Sequence, residues 1–257
     1  MVQTINHKIR RTFSESARQY DLFAGLHRAI ADKLLAQIPP KTVASTLLDV
    51  GCGTGYLTGK LKERFRHSKV IGLDFAQGML EVARLRYEDI IWILADGNHL
   101  PFSSGCFDMV VSNLAYQWAQ DLSCAFLEVK RVLASDGVFA GTLFGYNTCQ
   151  ELFQCLDEAS GRALQFVRLP DEIKVCKALS VSGFKDPTVH REQIKMEFKD
   201  MIELTTWFKS IGAPHLPREG FLGAKALSMA ALIYREKFPY LKGVGATFEV
   251  IRVYAKK

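Results

Sequence analysis

The stretch LLDVGCGTG at 47–55 constrains this chain of 257 residues more than any other. An aliphatic run of this kind reads as a buried strand, and the glycines at alternate positions after it mark a tight turn rather than a continued strand. Glycine is the residue for a sharply folded backbone and for close approach to main-chain atoms. Residues 56–65 then carry apolar side chains at helical spacing. A strand that turns through glycines directly into a helix is the first half of a βαβ unit.

The same alternation continues. Short apolar runs at 46–50, 70–73, 90–95, 109–112 and 138–143 read as strands, and 56–65, 78–86 and 125–133 between them as helices. This predicts an α/β fold with a doubly wound, mostly parallel sheet. Before it, Leu22, Phe23, Leu26, Ile30, Leu34, Leu35 and Ile38 recur at steps of three and four, which makes 22–38 an amphipathic helix ended by Pro39 and Pro40. After residue 146 the spacing predicts helices at 152–159, 171–179, 201–211 and 221–238, a long strand at 188–198 and a final strand at 247–255. No repeat or linker divides the chain, so 1–257 is expected to be one domain: a helical cap over 1–40, a core over 45–145 and a helical lid over 200–240.

Composition narrows the setting. With 48% hydrophobic and 23% charged residues the chain has the balance of a globular protein. No stretch reaches the ~18 apolar residues a membrane span needs, and MVQTINHKIRRTFSES has no apolar segment after its charges. A cytoplasmic location without membrane attachment is the expectation. The six cysteines form no C-x-x-C pair and are expected to be reduced and mostly buried. Cys52 stands in the glycine loop with no activating group in view. Histidines 7, 27, 67, 99 and 190 have no metal-ligand grouping, so no metal is expected. A net charge of +6 favours acidic partners without choosing among them, and the basic clusters KIRR at 8–11 and KLKERFRHSK at 60–69 read first as solvated faces.

In a doubly wound sheet ligands bind beyond the carboxyl ends of the strands, where LLDVGCGTG turns. The dinucleotide fingerprint G-x-G-x-x-G does not fit, because its third glycine would fall on Tyr56. The pattern is D-x-G-x-G-x-G, and Asp49 would repel a pyrophosphate but suit a ligand with an amino group and a positive centre. Asp74 ends the second strand about 20 residues on, where a carboxylate accepts from ribose hydroxyls. Asp96 ends the third in LADGNHLPF, where it would accept from an adenine amino group. Three acids at three successive strand ends outweigh any one of them.

Through LLDVGCGTG, the acid of GLDFAQGML, ADGNHLPF and FDMVVSNLAYQW, the sequence resembles the class I S-adenosylmethionine-dependent methyltransferases. The resemblance implies a Rossmann-like, seven-stranded sheet with an N-terminal helical cap and a helical insertion before the last strand. It also implies S-adenosyl-L-methionine as cofactor, with Gly51 and Gly53 against the methionyl part and Asp49 at its amino end. Asp74 would take the ribose hydroxyls, Phe75 and Met79 would flank the adenine, and Asp96, Gly97 and Asn98 would meet its edge. Met79 is equally a core candidate.

FSESARQYD at 13–21, SNLAYQWAQDL at 112–122 and FKSIGAPHL at 208–216 are similar to the malonyl-[acyl-carrier protein] O-methyltransferases of biotin synthesis. Pro214 departs from that pattern, and 217–242 carries little of it. This resemblance implies methyl transfer to the free carboxylate of malonyl-acyl-carrier protein or malonyl-CoA. A carboxyl group is ionised at neutral pH and needs no general base, so the expected site holds positioning groups only. Tyr20 would close over the donor and orient the acceptor, and Asn113 would lie beside the methionyl group. Leu114, Tyr116, Gln117 and Trp118 would form the acceptor wall. Tyr20 and Trp118 read equally as packing residues, and His215 either bonds the thioester or caps a helix.

Three other readings stay open. One is a methyltransferase with a quinone-ring or different carboxylate acceptor. The others are a nucleic-acid methyltransferase, for which SNLAYQW lacks an N-P-P-Y type sequence, and a cofactor-binding module without catalysis.

Overall fold

A computed structural model gives the fold, and describes residues 2–164, 169–213 and 222–257. Two helices come first, α1 (Val2–Phe23) and α2 (Gly25–Gln37). The alternating region follows: β1 (Thr46–Val50), α3 (Tyr56–Arg64), β2 (Lys69–Asp74), α4 (Gln77–Arg86), β3 (Ile91–Leu94), β4 (Phe107–Asn113), α5 (Leu122–Val132) and β5 (Leu133–Phe144). The remainder is α6 (Gln150–Ser160), α7 (Glu172–Val181), β6 (Lys185–Phe198), α8 (Met201–Ser210), α9 (Ala224–Lys237), β7 (Pro239–Tyr240) and β8 (Gly243–Lys256).

The strands lie in the order β3-β2-β1-β4-β5-β8-β6, with β7 paired to β8 off this path. The first five are parallel, while β8 runs antiparallel to both β5 and β6. This is the doubly wound, mostly parallel sheet expected from the alternation, with seven strands along its path and the two-residue β7 as an addition. The order reverses between β1 and β4, so a crevice opens beyond their carboxyl ends.

Period-two alternation decides which side chain supports which face. Leu47, Val70, Met109 and Val111 pack with Ala31, Leu34, Leu57 and Leu61 of α2 and α3 on one face. Leu48, Ile71, Val110 and Phe139 pack with Phe126, Val129, Val175 and Leu179 of α5 and α7 on the other. Each of these larger side chains, fully buried, contributes about 1.5–3 kcal/mol. A third cluster joins α6, α8 and α9 to β8 through Leu156, Leu204, Trp207, Tyr234 and Phe248. Trp207 Nε1 donates to the Phe23 carbonyl at 2.9 Å, which ties α8 to the end of α1.

Several boundaries differ from the sequence reading. The helix expected at 22–38 is two helices that part at Ala24, and the first extends back to Val2. β6 begins at Lys185, before Pro187, with its register shifted there; an edge strand tolerates proline at such a bulge. Cys52, Cys149 and Cys155 are buried, but Cys106, Cys124 and Cys176 are exposed, so only half of the thiols are sequestered.

Candidate active site

The turn after β1 is built by main-chain bonds to β2. Gly51 and Cys52 both donate to the Leu73 carbonyl, at 2.7 and 3.0 Å, and Gly53 N donates to Asp74 Oδ2 at 2.8 Å. Gly51 and Gly53 have φ of +73° and +54°, in the left-handed region. Their surroundings differ. A Cβ at Gly51 would collide with the Ala115 Cβ, whereas one at Gly53 would meet nothing within 4 Å. The first glycine is demanded by the fold and the second opens space above the loop.

The strand-end acids have three different environments. Asp74 is 5% exposed, accepts from Gly53 N and Ala76 N at 2.8 Å each, and is pushed up to about 6 by burial, which those N–H groups oppose. Asp49 is 1% exposed. Its Oδ2 accepts from Thr58 Oγ1 at 2.6 Å while its Oδ1 is buried without a partner. Burial pushes its carboxyl up to about 7, against the Thr58 bond and with a further rise from the charge of Asp74. Asp96 is exposed and folds an Asx turn, its Oδ1 accepting from Asn98 N and Nδ2 at 2.9 and 2.7 Å.

A cavity of about 750 Å³ lies at the carboxyl ends of the strands. This is the size of a small-molecule site. Gly51, Gly53, Asp74, Phe75, Met79, Asp96, Gly97, Asn98 and Asn113 line it, together with Tyr20, Leu114, Tyr116 and Trp118. Asp49 lines instead a smaller cavity of about 50 Å³, which shares Tyr20, Gly51, Gly53 and Asn113 with the larger one.

Gln117 departs from the expected wall. It lies in the short 3₁₀ turn Tyr116–Trp118, is 7% exposed, and donates through Nε2 to the Leu114 carbonyl at 2.7 Å, off the cavity lining. A three-residue turn of that pitch sends consecutive side chains in different directions, so the wall cannot take all of them. His215 and Pro214 lie outside the described residues.

Other expected residues carry structural duties as well. Asn113 accepts from Thr142 Oγ1 at 2.8 Å and donates to the His27 carbonyl at 3.1 Å, joining β4 to β5 and α2. Leu114 has φ of +52°, a strained position for leucine, held by its N–H donating to the Thr142 carbonyl and hydroxyl at 3.0 and 3.1 Å. Tyr116 packs edge-on against Phe126 and Phe139. Tyr20 stands edge-on to His27 at 5.7 Å, and burial raises its hydroxyl pKa, so it remains a neutral phenol.

The sequence reading missed Phe13, which bridges Phe75 and Trp118 with centroid distances of 6.3 and 6.2 Å and closes one side of the cavity. Its heptad spacing to Tyr20 was the available signal. Also missed were His7 and Arg10 of α1 and His99 at the rim. His27 and Arg28 of α2 line the smaller cavity with Asp49. Burial pushes the His27 imidazole down to about 4 and the Cys52 thiol well up, so neither ionises near neutrality. Among the described residues no group of three or more His, Cys, Asp or Glu is gathered as for a metal ion, and no helix is long and apolar enough to cross a membrane.

Residues 48–141 match a methyltransferase domain family. The chain is 35% identical to a malonyl-[acyl-carrier protein] O-methyltransferase of Halorhodospira halophila, over 98% of this chain and 88% of that protein. It is 32% identical to the enzyme of the same name from Geobacter sulfurreducens, over 97% and 98%. Among solved structures it is similar to the YcgJ protein of Bacillus subtilis, with a TM-score of 0.64 at 15% identity, covering 90% of this chain and 98% of that one. It is also similar to the phosphoethanolamine N-methyltransferase 2 of Haemonchus contortus with S-adenosyl-L-methionine bound, with a TM-score of 0.60 at 19% identity over 95% and 57%. These structures share the fold.

Proposed function

This chain belongs to the malonyl-[acyl-carrier protein] O-methyltransferases, and on that premise we propose that it methylates the free carboxylate of a malonyl thioester on acyl-carrier protein, or on coenzyme A, in biotin synthesis. The single observation that carries the acceptor is likeness at 35% identity over 98% of the chain, since the fold alone is shared with methyltransferases of other specificity. The reading places the enzyme in the cytoplasm, with neither nucleic acid nor membrane as partner.

S-adenosyl-L-methionine is the cofactor, and supplies a methyl group on a sulfonium whose sulfur retains the bonding pair. The residues present fit it. Asp49 Oδ1 is a buried acceptor without a partner, suited to an ammonium, and the open space above Gly53 admits a ligand to the main chain. We assign Asp49 to the amino end, Gly51, Gly53 and Asn113 to the methionyl part, and Asp74 to the ribose hydroxyls. Phe75 and Met79 flank the adenine, and Asp96, Gly97 and Asn98 take its edge.

The acceptor carboxylate is already charged at neutral pH and attacks without a base. Tyr20, Leu114, Tyr116 and Trp118, joined by Phe13, have the task of holding it in line and excluding water, in which opposite charges neutralised in the transfer would be better solvated. Helices α1 and α2 together with α8 and α9 form the lid of a single domain, a reading supported by the bond from Trp207 to Phe23.

Incubation with S-adenosylmethionine labelled in the methyl group tests the assignment. The expected product is the labelled methyl ester of malonyl-acyl-carrier protein or malonyl-CoA. Tight cofactor binding with no ester from either thioester would defeat it.

A further inference from the structure

The two basic clusters of the sequence differ in position and in what their cations already touch. Lys69 opens β2 and Asp74 ends it. The far end of the cluster, from Arg64 to Lys69, therefore stands at the amino edge of the sheet, one strand length of roughly 20 Å from the cavity, while Lys60 and Lys62 lie along α3 on the way there. Three of its five Lys and Arg side chains are engaged in the fold, and the other two, Arg66 and Lys69, are exposed at that edge. Arg64 donates to the carbonyls of Leu35, Ile38 and Pro39 at 2.6, 2.7 and 2.9 Å, Lys62 to that of Ser68 at 3.1 Å, and Lys60 lies 5.8 Å over the Tyr56 ring.

On α1 the situation is reversed. Lys8, Arg10, Arg11 and Arg18 are all exposed, and among the described residues only Arg11 has a carboxylate partner, Glu15 at 2.6 Å. His7 and Arg10 reach the cavity rim, with His99 on the same rim. Ile9, Ala17 and Phe13 anchor the opposite side of the helix, so the cations sit on a fixed support.

We propose that the basic stripe of α1, Lys8, Arg11 and Arg18 with Arg10 at the rim, is the docking surface for an acidic protein that carries the acceptor thioester on a flexible arm. The proposal rests on the malonyl-thioester reading. A carrier seated on α1 has the cavity mouth beside it, whereas one seated on the exposed Arg66 and Lys69 would face the wrong end of the sheet. Among the described residues no carboxylate pairs with Lys8, Arg10 or Arg18, and Arg10 touches only the His7 ring at 3.5 Å, so their attraction is open to a partner over about 8 Å at physiological salt. Arg11 adds less, because Glu15 already neutralises part of its charge.

The test compares malonyl-acyl-carrier protein with malonyl-pantetheine, which presents the same thioester without a protein. Lys8→Glu/Arg18→Glu leaves the Arg11–Glu15 pair intact and touches no cavity residue. It is expected to raise KM for the carrier-bound substrate about tenfold, with kcat and all constants for malonyl-pantetheine unchanged. Arg66→Glu/Lys69→Glu is expected to change neither. Unchanged KM for the carrier in the first variant, equal losses with both substrates, or a loss in the second variant instead would overturn the proposal.

Should the first variant fail to fold, the wild type decides. KM for the carrier substrate should rise from about 50 to about 300 mM NaCl while that for malonyl-pantetheine stays constant, and a flat response overturns docking by charge. If neither thioester is methylated, the function reading falls and anisotropy of labelled carrier protein still tests the surface. Salt-sensitive binding of a DNA duplex without binding of the carrier would also overturn it.

Discussion

Alanine at Gly51 and at Gly53 should give opposite phenotypes, although the two glycines are two positions apart in one loop and both have positive φ. A left-handed alanine costs about 1–2 kcal/mol in either place. At Gly53 the new methyl meets nothing within 4 Å, so backbone strain is the whole loss of stability. At about 2–4 °C per kcal/mol for a chain of this size, Tm falls by about 2–8 °C. At Gly51 the methyl collides with Ala115 Cβ, itself fixed to the backbone, and overpacking adds about 1–3 kcal/mol. The sum, about 2–5 kcal/mol, is a large part of the ~5–15 kcal/mol that holds a protein folded.

Binding should rank the other way. The Gly53→Ala methyl occupies the space shared by both cavities and should weaken S-adenosylhomocysteine at least about tenfold, or about 1.4 kcal/mol. Calorimetric melting without ligand and titration with S-adenosylhomocysteine read the two effects separately. Equal destabilisation by both variants, or wild-type affinity in Gly53→Ala, would refute the reasoning.

Four further outcomes are expected. In the ligand-free protein Asp49 and Asp74 hold their protons more tightly folded, at about 7 and about 6, than unfolded at about 3.9. Their contribution to stability is therefore full below pH ~4 and is lost as pH rises through those two values. Urea unfolding between pH ~5 and ~8 should show a smaller loss in Asp49→Asn than in wild type, and equal losses would exclude Asp49 as the source. The ionised carboxylates are the cofactor-binding forms, so kcat/KM for S-adenosylmethionine should rise from pH ~6 to ~8 while kcat at saturation stays flat; a steep rise in kcat near a histidine pKa would favour an acceptor that needs a base. Asp74→Ala should weaken S-adenosylhomocysteine by about 1.5–3 kcal/mol, and calorimetry showing unchanged affinity would mean that the ribose lies elsewhere. Arg64→Gln removes charge-assisted bonds to three carbonyls at the end of α2; denaturation should register a loss of about 1–3 kcal/mol with kinetic constants unchanged, and an unaltered midpoint would deny Arg64 that role.

The parts of the fold legible from sequence were those where local pattern and tertiary demand agree. β1, β2 and β4 are continuous apolar runs because both faces are covered, and the glycine turn announces itself by composition. α1 was not read over its length because its buried side is a broken stripe of Ile9, Phe13, Ala17 and Tyr20 among polar residues. β8 was expected to begin at 247 because Gly243 and Gly245 hide its start. The strand-end acids were legible one by one, but their electrostatic differences were not. Whether Asp49 has an unpartnered oxygen depends on where Thr58 lies across the turn. Phe13 joins the cavity only through the packing of α1 on α4, and Gln117 leaves it because of a turn that the helical and strand periods do not describe.

The placement of β8 between β5 and β6 has a consequence for synthesis on the ribosome. β6 emerges before the strand that must pair with it, and at about 5–20 residues per second it waits on the order of seconds with an unpaired ladder. A nascent segment in that state is a template for association with its neighbours on the same messenger. Arg191, Glu192, Lys195 and Glu197 punctuate β6 with charges of both signs, and its face is largely exposed even in the finished sheet. Those charges guard the chain during the interval in which it is most adhesive.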